Sequence, residues 1–547
     1  MSLSQYLTDY LQAYQRAYDY RHQAVVESFD IDDLALSVGR FYEKIRKVID
    51  WKDENALKRG SIARAINRNL IPQVAFLDTS CLNDKLRRLT QTMILELMRS
   101  GYFNNKLIDA KTVDQAAKIL HKYTLAFQYL NSPQTTLTKT DLQARIKLQN
   151  WTIQIMACEW EELLAPAYKT YALVGLMDQV LARRIKVIPA KSLSDTQQQK
   201  LRLIAVWRSL YHMDDHLIAY QLLKLTDPDF TRYDTLADLT RVRWLFATKD
   251  QVEADLNSPQ GRQFLRIASK YDAAYRLIGA ITHESDLDSV EKYEQFFSDE
   301  SKVKEQFDQI YATRYRSLKS RLLKTAFWTT LSVIIANFAS VLLLEIPIAN
   351  LAGLDFGLMA IAYDIIIPMI AMFFLVIIIP LPKPQNQDVV WQEIVKILYP
   401  VEREDTYEIR HYRAPNAAAK WFFYLSTLLA GAFGLWGLYQ IFTLAGLPWT
   451  SAYLNVVYIT MVLFASLNIR AQAQELTIFE KSSLFSFVLD IFSVPLARIG
   501  QWFSKKWKEY NIFAIFFSLL LDAPLSMFIG FIEDWRNYLK ENKSEIR

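Results

Sequence analysis

Residues 421–469 read WFFYLSTLLAGAFGLWGLYQIFTLAGLPWTSAYLNVVYITMVLFASLNI, a run without one charged side chain. A single membrane crossing takes ~20 apolar residues. The run is too long for one crossing and suits two, joined by a turn from Leu444 to Thr450. Residues 325–382 repeat the pattern, with no lysine or arginine and only Glu345, Asp355 and Asp364 as charges. The spacing predicts four spans, over 327–344, 356–379, 421–442 and 453–469. Pro347 and Gly353 interrupt the first linker, and Pro380 and Pro382 close the second span. Residues 326–470 are thus expected to form a four-helix transmembrane bundle, with a polar loop over 383–420 between its halves.

Basic residues crowd the edges of these runs. Arg314, Arg316, Lys319, Arg321 and Lys324 precede the first span with no acid among them, and Lys383, Lys396, Arg403, Arg410, Arg413 and Lys420 lie in the polar loop. The short linkers have none. Cytosolic loops carry the excess of lysine and arginine in multi-pass proteins. The N-terminal region, the polar loop and the tail are therefore expected in the cytosol. Both chain ends then lie on the cytosolic side of a cell (inner or plasma) membrane, and an even number of spans agrees.

Whole-chain values hide this division: 547 residues, net charge +5 and a mean hydropathy of +0.02. So small a charge on so long a chain gives no reason to expect nucleic acid. Residues 1–315 read as a large helical cytosolic domain. Leu3, Leu7, Tyr10, Tyr14 and Tyr18 fall near one helical face, and Phe41, Ile45 and Val48 oppose Lys44, Arg46 and Lys47. Breaks are expected at Pro72, Pro133, Pro189, Pro228 and Pro259, with a subdomain boundary near 132–138. No alternating strand of useful length is visible, so the fold class is all-α. Cys81 and Cys158 lack any CxxC spacing, so no disulfide framework is expected. The N-terminus has neither the basic region nor the unbroken apolar core of a signal peptide.

Residues 471–547 read as a membrane-interfacial helical tail. Its apolar segments, 484–500 and 511–532, flank Lys505, Lys506 and Lys508, candidate contacts for lipid headgroups. Phe485, Ser486, Leu489 and Asp490 recur as Phe517, Ser518, Leu521 and Asp522. Each segment carries a mid-way aspartate and a proline, which suits a helix lying in the interface, or a shallow re-entrant hairpin, better than a continuous span.

Asp364 is the first candidate for chemistry, because a carboxylate inside a span is costly unless paired, hydrated or protonated. Pro368 lacks the N–H that would bond the Asp364 carbonyl. A carbonyl and a carboxylate freed together can hold a cation or a proton. Asn337 in the first span, and Tyr458 and Thr460 in the fourth, are expected at similar depth; a buried hydrogen bond joining the spans uses the same residues. In the third span Ala430, Gly431, Gly434 and Gly437 make a small-residue face suited to close helix packing. His212 and His216 are four apart, which puts both on one side of a helix at a metal-compatible spacing. Glu159, Glu161 or Glu162 would have to supply a third ligand. A solvated polar face or a helix–helix contact is the ordinary explanation of such a pair, and neither metal nor cofactor is expected.

No GxxxxGK[ST], GxGxxG or GxSxG pattern occurs in the chain. The expectation is a non-enzymatic, membrane-anchored helical scaffold or interaction protein at the cytosolic face of the membrane. Its partners would be the lipid bilayer and either a protein or a second copy of itself. The alternatives are an oligomeric ion or proton channel or transporter using Asp364, and a lipid-modifying enzyme using Asp490 or Asp522.

Overall fold

The structure, a computed structural model, describes residues 2–21, 54–77, 84–99, 103, 108–131, 139–189, 192–232, 236, 238–340, 381–400, 405–410, 416–444, 446, 449–478 and 493–502, with single positions at 347, 366–367, 370 and 491. Helix dominates among them, and the fold is all-α as expected. The expected boundary at 132–138 and the tail beyond residue 502 lie outside the described residues.

The helical domain opens with α1 (Gln5–Arg21), α2 (Glu54–Ala65), α3 (Asp84–Arg99), α4 (Ala110–Asn131), α5 (Lys139–Leu164) and α6 (Tyr168–Arg184). After strand β1 (Ile185–Ile188) come α7 (Asp195–Tyr211), α8 (Asp215–Thr226), α9 (Leu239–Leu256), α10 (Gly261–Ser285) and α11 (Val290–Ser298). The predicted stripe on α1 is present: Leu7, Tyr10 and Tyr14 are buried. Starts follow the local chemistry. Ser194, Asp214, Asp238 and Ser289 each accept a main-chain N–H in the first turn of α7, α8, α9 and α11, satisfying donors that a helix N-terminus leaves open.

Helix α12 (Glu300–Ser340) runs unbroken for 41 residues out of this domain into the first expected span. The composition changes near Lys324 without a break in the helix, because nothing there removes a main-chain hydrogen bond.

The segment expected as a polar loop, 383–420, contributes to the domain core. It forms α13 (Gln385–Leu398) and strand β2 (Tyr407–Arg410). Val390, Ile394, Ile397, Leu398, Tyr399 and Ile409 are buried in the same core as α1 to α11. Strand β2 pairs in parallel with β1, with Ile185 opposite Tyr407 and Ile188 opposite Arg410. This short sheet is the exception to the expectation of no strands. Its strands have four residues each, too few to show alternation, and each needs a partner more than two hundred residues away. The return is locked by named contacts. Ser4 bonds the Ile397 carbonyl at 2.7 Å, Tyr399 bonds the Phe297 carbonyl at 2.8 Å, and Arg184 pairs with Glu393 in the interior.

Two apolar helices follow, α14 (Ala417–Leu444) and α15 (Trp449–Ala473), joined through Gly446 at φ +80°. They form a hairpin, closed by Phe442, Leu435 and Leu438 against Ala452, Val456, Ile459 and Leu463. Among the described residues only α14 is long and apolar enough to cross a membrane, and 6 % of its most apolar window is buried. A shorter apolar stretch, Ser451–Phe464, lies in α15. The expected four-helix bundle is therefore not what the described residues form. Of the second span only positions 366, 367 and 370 are among them, and Asp364 and Pro368 lie outside them.

Candidate functional site

The site that organises this fold is the joint between helical domain and hairpin. Asn386, at the start of α13, is 8 % exposed and ties three distant segments together. Its Nδ2 donates to the Tyr311 hydroxyl of α12 at 3.0 Å and to the Leu476 carbonyl, just after α15, at 2.7 Å. Its Oδ1 accepts the Ile478 N–H at 3.1 Å. An asparagine suits this position because one amide supplies two donors and an acceptor without charge. Around it Leu318 and Leu322 of α12 are buried against Val462, Ile469, Ala473 and Leu476.

An ionic cluster borders the joint. Arg276 of α10 bonds the Ser209 carbonyl at 2.6 Å, pairs with Asp272 and lies 3.7 Å from Glu475. Glu475 also pairs with Arg321 of α12. Burial pushes the Asp272 carboxyl up to about 6, although the Arg276 guanidinium opposes the shift. Burial likewise holds the Arg314 guanidinium below its ordinary value. Between the ordinary carboxylate range and pH ~6 folded Asp272 keeps a proton that the unfolded chain has released. Its contribution to stability is therefore full at pH 4 and is lost as pH rises to 6–7, by a few kcal/mol at most. Thermal midpoints between pH 4.5 and 7 should show a decline in the wild type that is smaller in Asp272→Asn.

A second charged row runs from the domain interior toward its surface, on three acids of one helix. Glu159, Glu161 and Glu162 of α5 pair with Lys122 of α4, Arg59 of α2 and Lys224 of α8. Lys122 and Glu159 are buried, 2.9 Å apart, and the Tyr123 hydroxyl adds a bond to Glu159 at 2.7 Å. Burial favours the neutral form of both, raising Glu159 and lowering Lys122, while each charge opposes the shift of the other. Beside this row is a cavity of about 350 Å³ lined by Tyr20, Arg59, Glu161, Tyr171, Trp207 and Met213, among others. That volume is at the small end for a ligand pocket. Its Arg59 and Glu161 bond each other at 2.8 Å, and Arg59 also reaches Asp214.

The expected histidine pair does not share a helix. His212 ends α7 in the left-handed region at φ 48°, and α8 begins only after the capping Asp214. His212 is exposed and His216 is half-buried. No group of three potential ligands for a metal occurs among the described residues. Asn337 lies within α12, with its side chain outside the described residues. The Thr460 hydroxyl is satisfied locally by the Val457 carbonyl at 2.6 Å. Lys505, Lys506, Lys508, Asp490 and Asp522 lie outside the described residues.

The small-residue face of α14 is divided. A Cβ on Gly431 would come 3.5 Å from Pro495, and one on Gly434 would come 3.2 Å from Leu496, whereas Gly437 has open space and Ala430 is half-buried. Helical residues 493–502 thus lie against α14 and also against α15, where a Cβ on Gly500 would fall 2.2 Å from the Thr460 carbonyl oxygen. That contact is with main chain, which cannot swing aside. Gly500→Ala should release residues 493–502 from the hairpin, read as new thiol reactivity of a cysteine introduced at buried Ala497. Unchanged protection would contradict the contact.

Asn386 and Glu475 were missed by reading the sequence. Asn386 sat inside an apparent loop, and the signal that could have exposed it was the helical spacing of Val390, Ile394, Ile397 and Leu398. No known protein family matches this chain, and no curated protein or solved structure matches it either.

Proposed function

We propose that this is a multi-pass membrane protein whose helical domain serves as a non-catalytic interaction platform at the cytosolic face. The observation that carries the membrane reading is the surface of α14. Phe422 is 68 % exposed, Leu428 66 % and Phe433 61 %, and eight further large apolar side chains of this helix are exposed as well. Each gains roughly 1.5–3 kcal/mol on moving from water into hydrocarbon, on the order of 15–30 kcal/mol for the helix. No part of the described domain covers that surface, and lipid would.

The joint at Asn386 supports an even number of crossings. Helix α12 leaves the domain and α13 is back in its core, so the chain exits the domain at α12 and re-enters it at α13. Helices α14 and α15 do the same, since Ile478 is again in the core. Four crossings satisfy both excursions, and the lysine and arginine bias assigns the domain side to the cytosol. A platform built from three separate chain segments is held in fixed orientation to the bilayer, which is what an interaction surface at a membrane requires. The non-catalytic part of the reading rests on the lack of a catalytic motif in the sequence.

Substitution on the exposed face of α14 tests this. Arginine at the centre of a span costs about 2.5–3.5 kcal/mol. Leu428→Arg with Phe433→Arg should keep α14 from crossing, so that a cysteine at Leu444 labels from the same side of the membrane as one at Lys420. A protein in which α14 faces water would tolerate both changes and gain solubility.

A further inference from the structure

Helix α12 carries cations that make no ion pair with an acid among the described residues. Between Asp308 and Ser340 the helix has no acid, and Arg314, Arg316, Lys319, Arg321 and Lys324 follow one another over three turns. Arg321 is paired with Glu475, and Arg314 lies inside the fields of Glu475 and Glu284. Arg316, Lys319 and Lys324 are exposed and make no ion pair among the described residues.

Their order along the helix is informative. Arg316, Lys319, Leu323 and Phe327 recur at helical spacing on one outward stripe, and Arg321, Lys324 and Trp328 on the next. Leu323 is 59 % exposed, Phe327 63 % and Trp328 64 %. Both stripes pass from cations to uncovered apolar and aromatic side chains in the same direction. Helix α14 repeats the sequence independently, with exposed Lys420 followed by exposed Trp421, Phe422 and Phe423. From Arg316 to Lys324 the rise is ~12 Å. A headgroup layer of ~5–8 Å per leaflet, widened by the reach of long basic side chains, fits that band.

We propose that Arg316, Lys319 and Lys324 bind the phosphate groups of anionic phospholipids in the leaflet next to the helical domain. This rests on the membrane reading above and adds a lipid class to it. Charge complementarity selects the ligand: three exposed cations without acids, immediately before an apolar surface, match an anionic headgroup above its acyl chains. Each such cation strengthens the preference for anionic lipid roughly fivefold, so three together give a factor on the order of 100. Lipid bound to the folded chain alone raises its thermal midpoint.

The test uses the full chain in nanodiscs of phosphatidylcholine, with or without one-third phosphatidylglycerol. The wild type should unfold several degrees higher with phosphatidylglycerol. Arg316→Gln, Lys319→Gln and Lys324→Gln combined should show no such rise, while matching the wild type in phosphatidylcholine alone. Inorganic phosphate added to phosphatidylcholine discs should have no effect. An equal rise in both proteins, no rise in the wild type, or a rise with inorganic phosphate would overturn the assignment. Failure of the chain to resist alkali extraction would instead overturn the membrane reading.

Discussion

Asn386→Leu should cost about 3–5 kcal/mol of stability, because it leaves a main-chain carbonyl and a main-chain N–H buried without partners. Those groups belong to Leu476 and Ile478, each 5 % exposed, and the Tyr311 hydroxyl loses its bond as well. The loss should be local before it is global. Hydrogen exchange at the Ile478 amide and in the first turn of α13 should accelerate more than in α4 or α5, since the joint opens while the domain core stays packed. Asn386→Asp separates the contributions. It keeps the acceptor for Ile478 but turns a carboxylate toward the Leu476 carbonyl, so its defect should shrink at low pH. A change below ~0.5 kcal/mol for Asn386→Leu would put the joint elsewhere.

Lys122→Met should be about as damaging, at roughly 3–5 kcal/mol, because removing one partner of a buried pair strands the other charge. Glu159 would keep the Tyr123 hydroxyl and nothing of opposite sign at hydrogen-bond distance. The Phe230 carbonyl, which also accepts from Lys122, would lose its donor. The defect should deepen as pH rises above the ordinary carboxylate range, where the unfolded chain releases a proton that the folded Glu159 retains. Adding Glu159→Leu should restore much of the loss, since apolar replacement of a whole buried pair is often neutral or better. Thermal midpoints of the two single variants and the double variant give the coupling directly.

The parts of this fold that were legible in sequence are those whose signal is local. The uncharged run 421–469 announced α14 and α15 within a few residues at each end, because length and apolarity need no partner to be recognised. The face of α1 was legible from the spacing of Leu7, Tyr10 and Tyr14. What escaped depends on distant partners. Strands β1 and β2 are too short to declare themselves, and each exists by pairing with the other. Helix α13 has a good apolar stripe, but between two far more apolar runs its segment reads as a polar connection. The His212–His216 pair misled for the opposite reason: spacing implied one helix, whereas Asp214 competes for the main-chain N–H groups of His216 and Leu217 and starts a new one. Within the candidate site, the basic residues of α12 were visible in sequence. Glu475 as partner to Arg276 and Arg321, and Asn386 as the tie, required three segments to be brought together.

The most direct test of this architecture is the sidedness of the α14–α15 hairpin. Single cysteines replace Lys186 on β1, Lys420 at the start of α14 and Leu444 at its end, each in a chain lacking Cys81 and Cys158. All three original side chains are exposed. A membrane-impermeant maleimide is applied to sealed vesicles of both orientations. Positions 186 and 420 should label from one side and position 444 only from the other. Labelling of 420 and 444 from the same side would mean that α14 does not cross the membrane, and the account would fail.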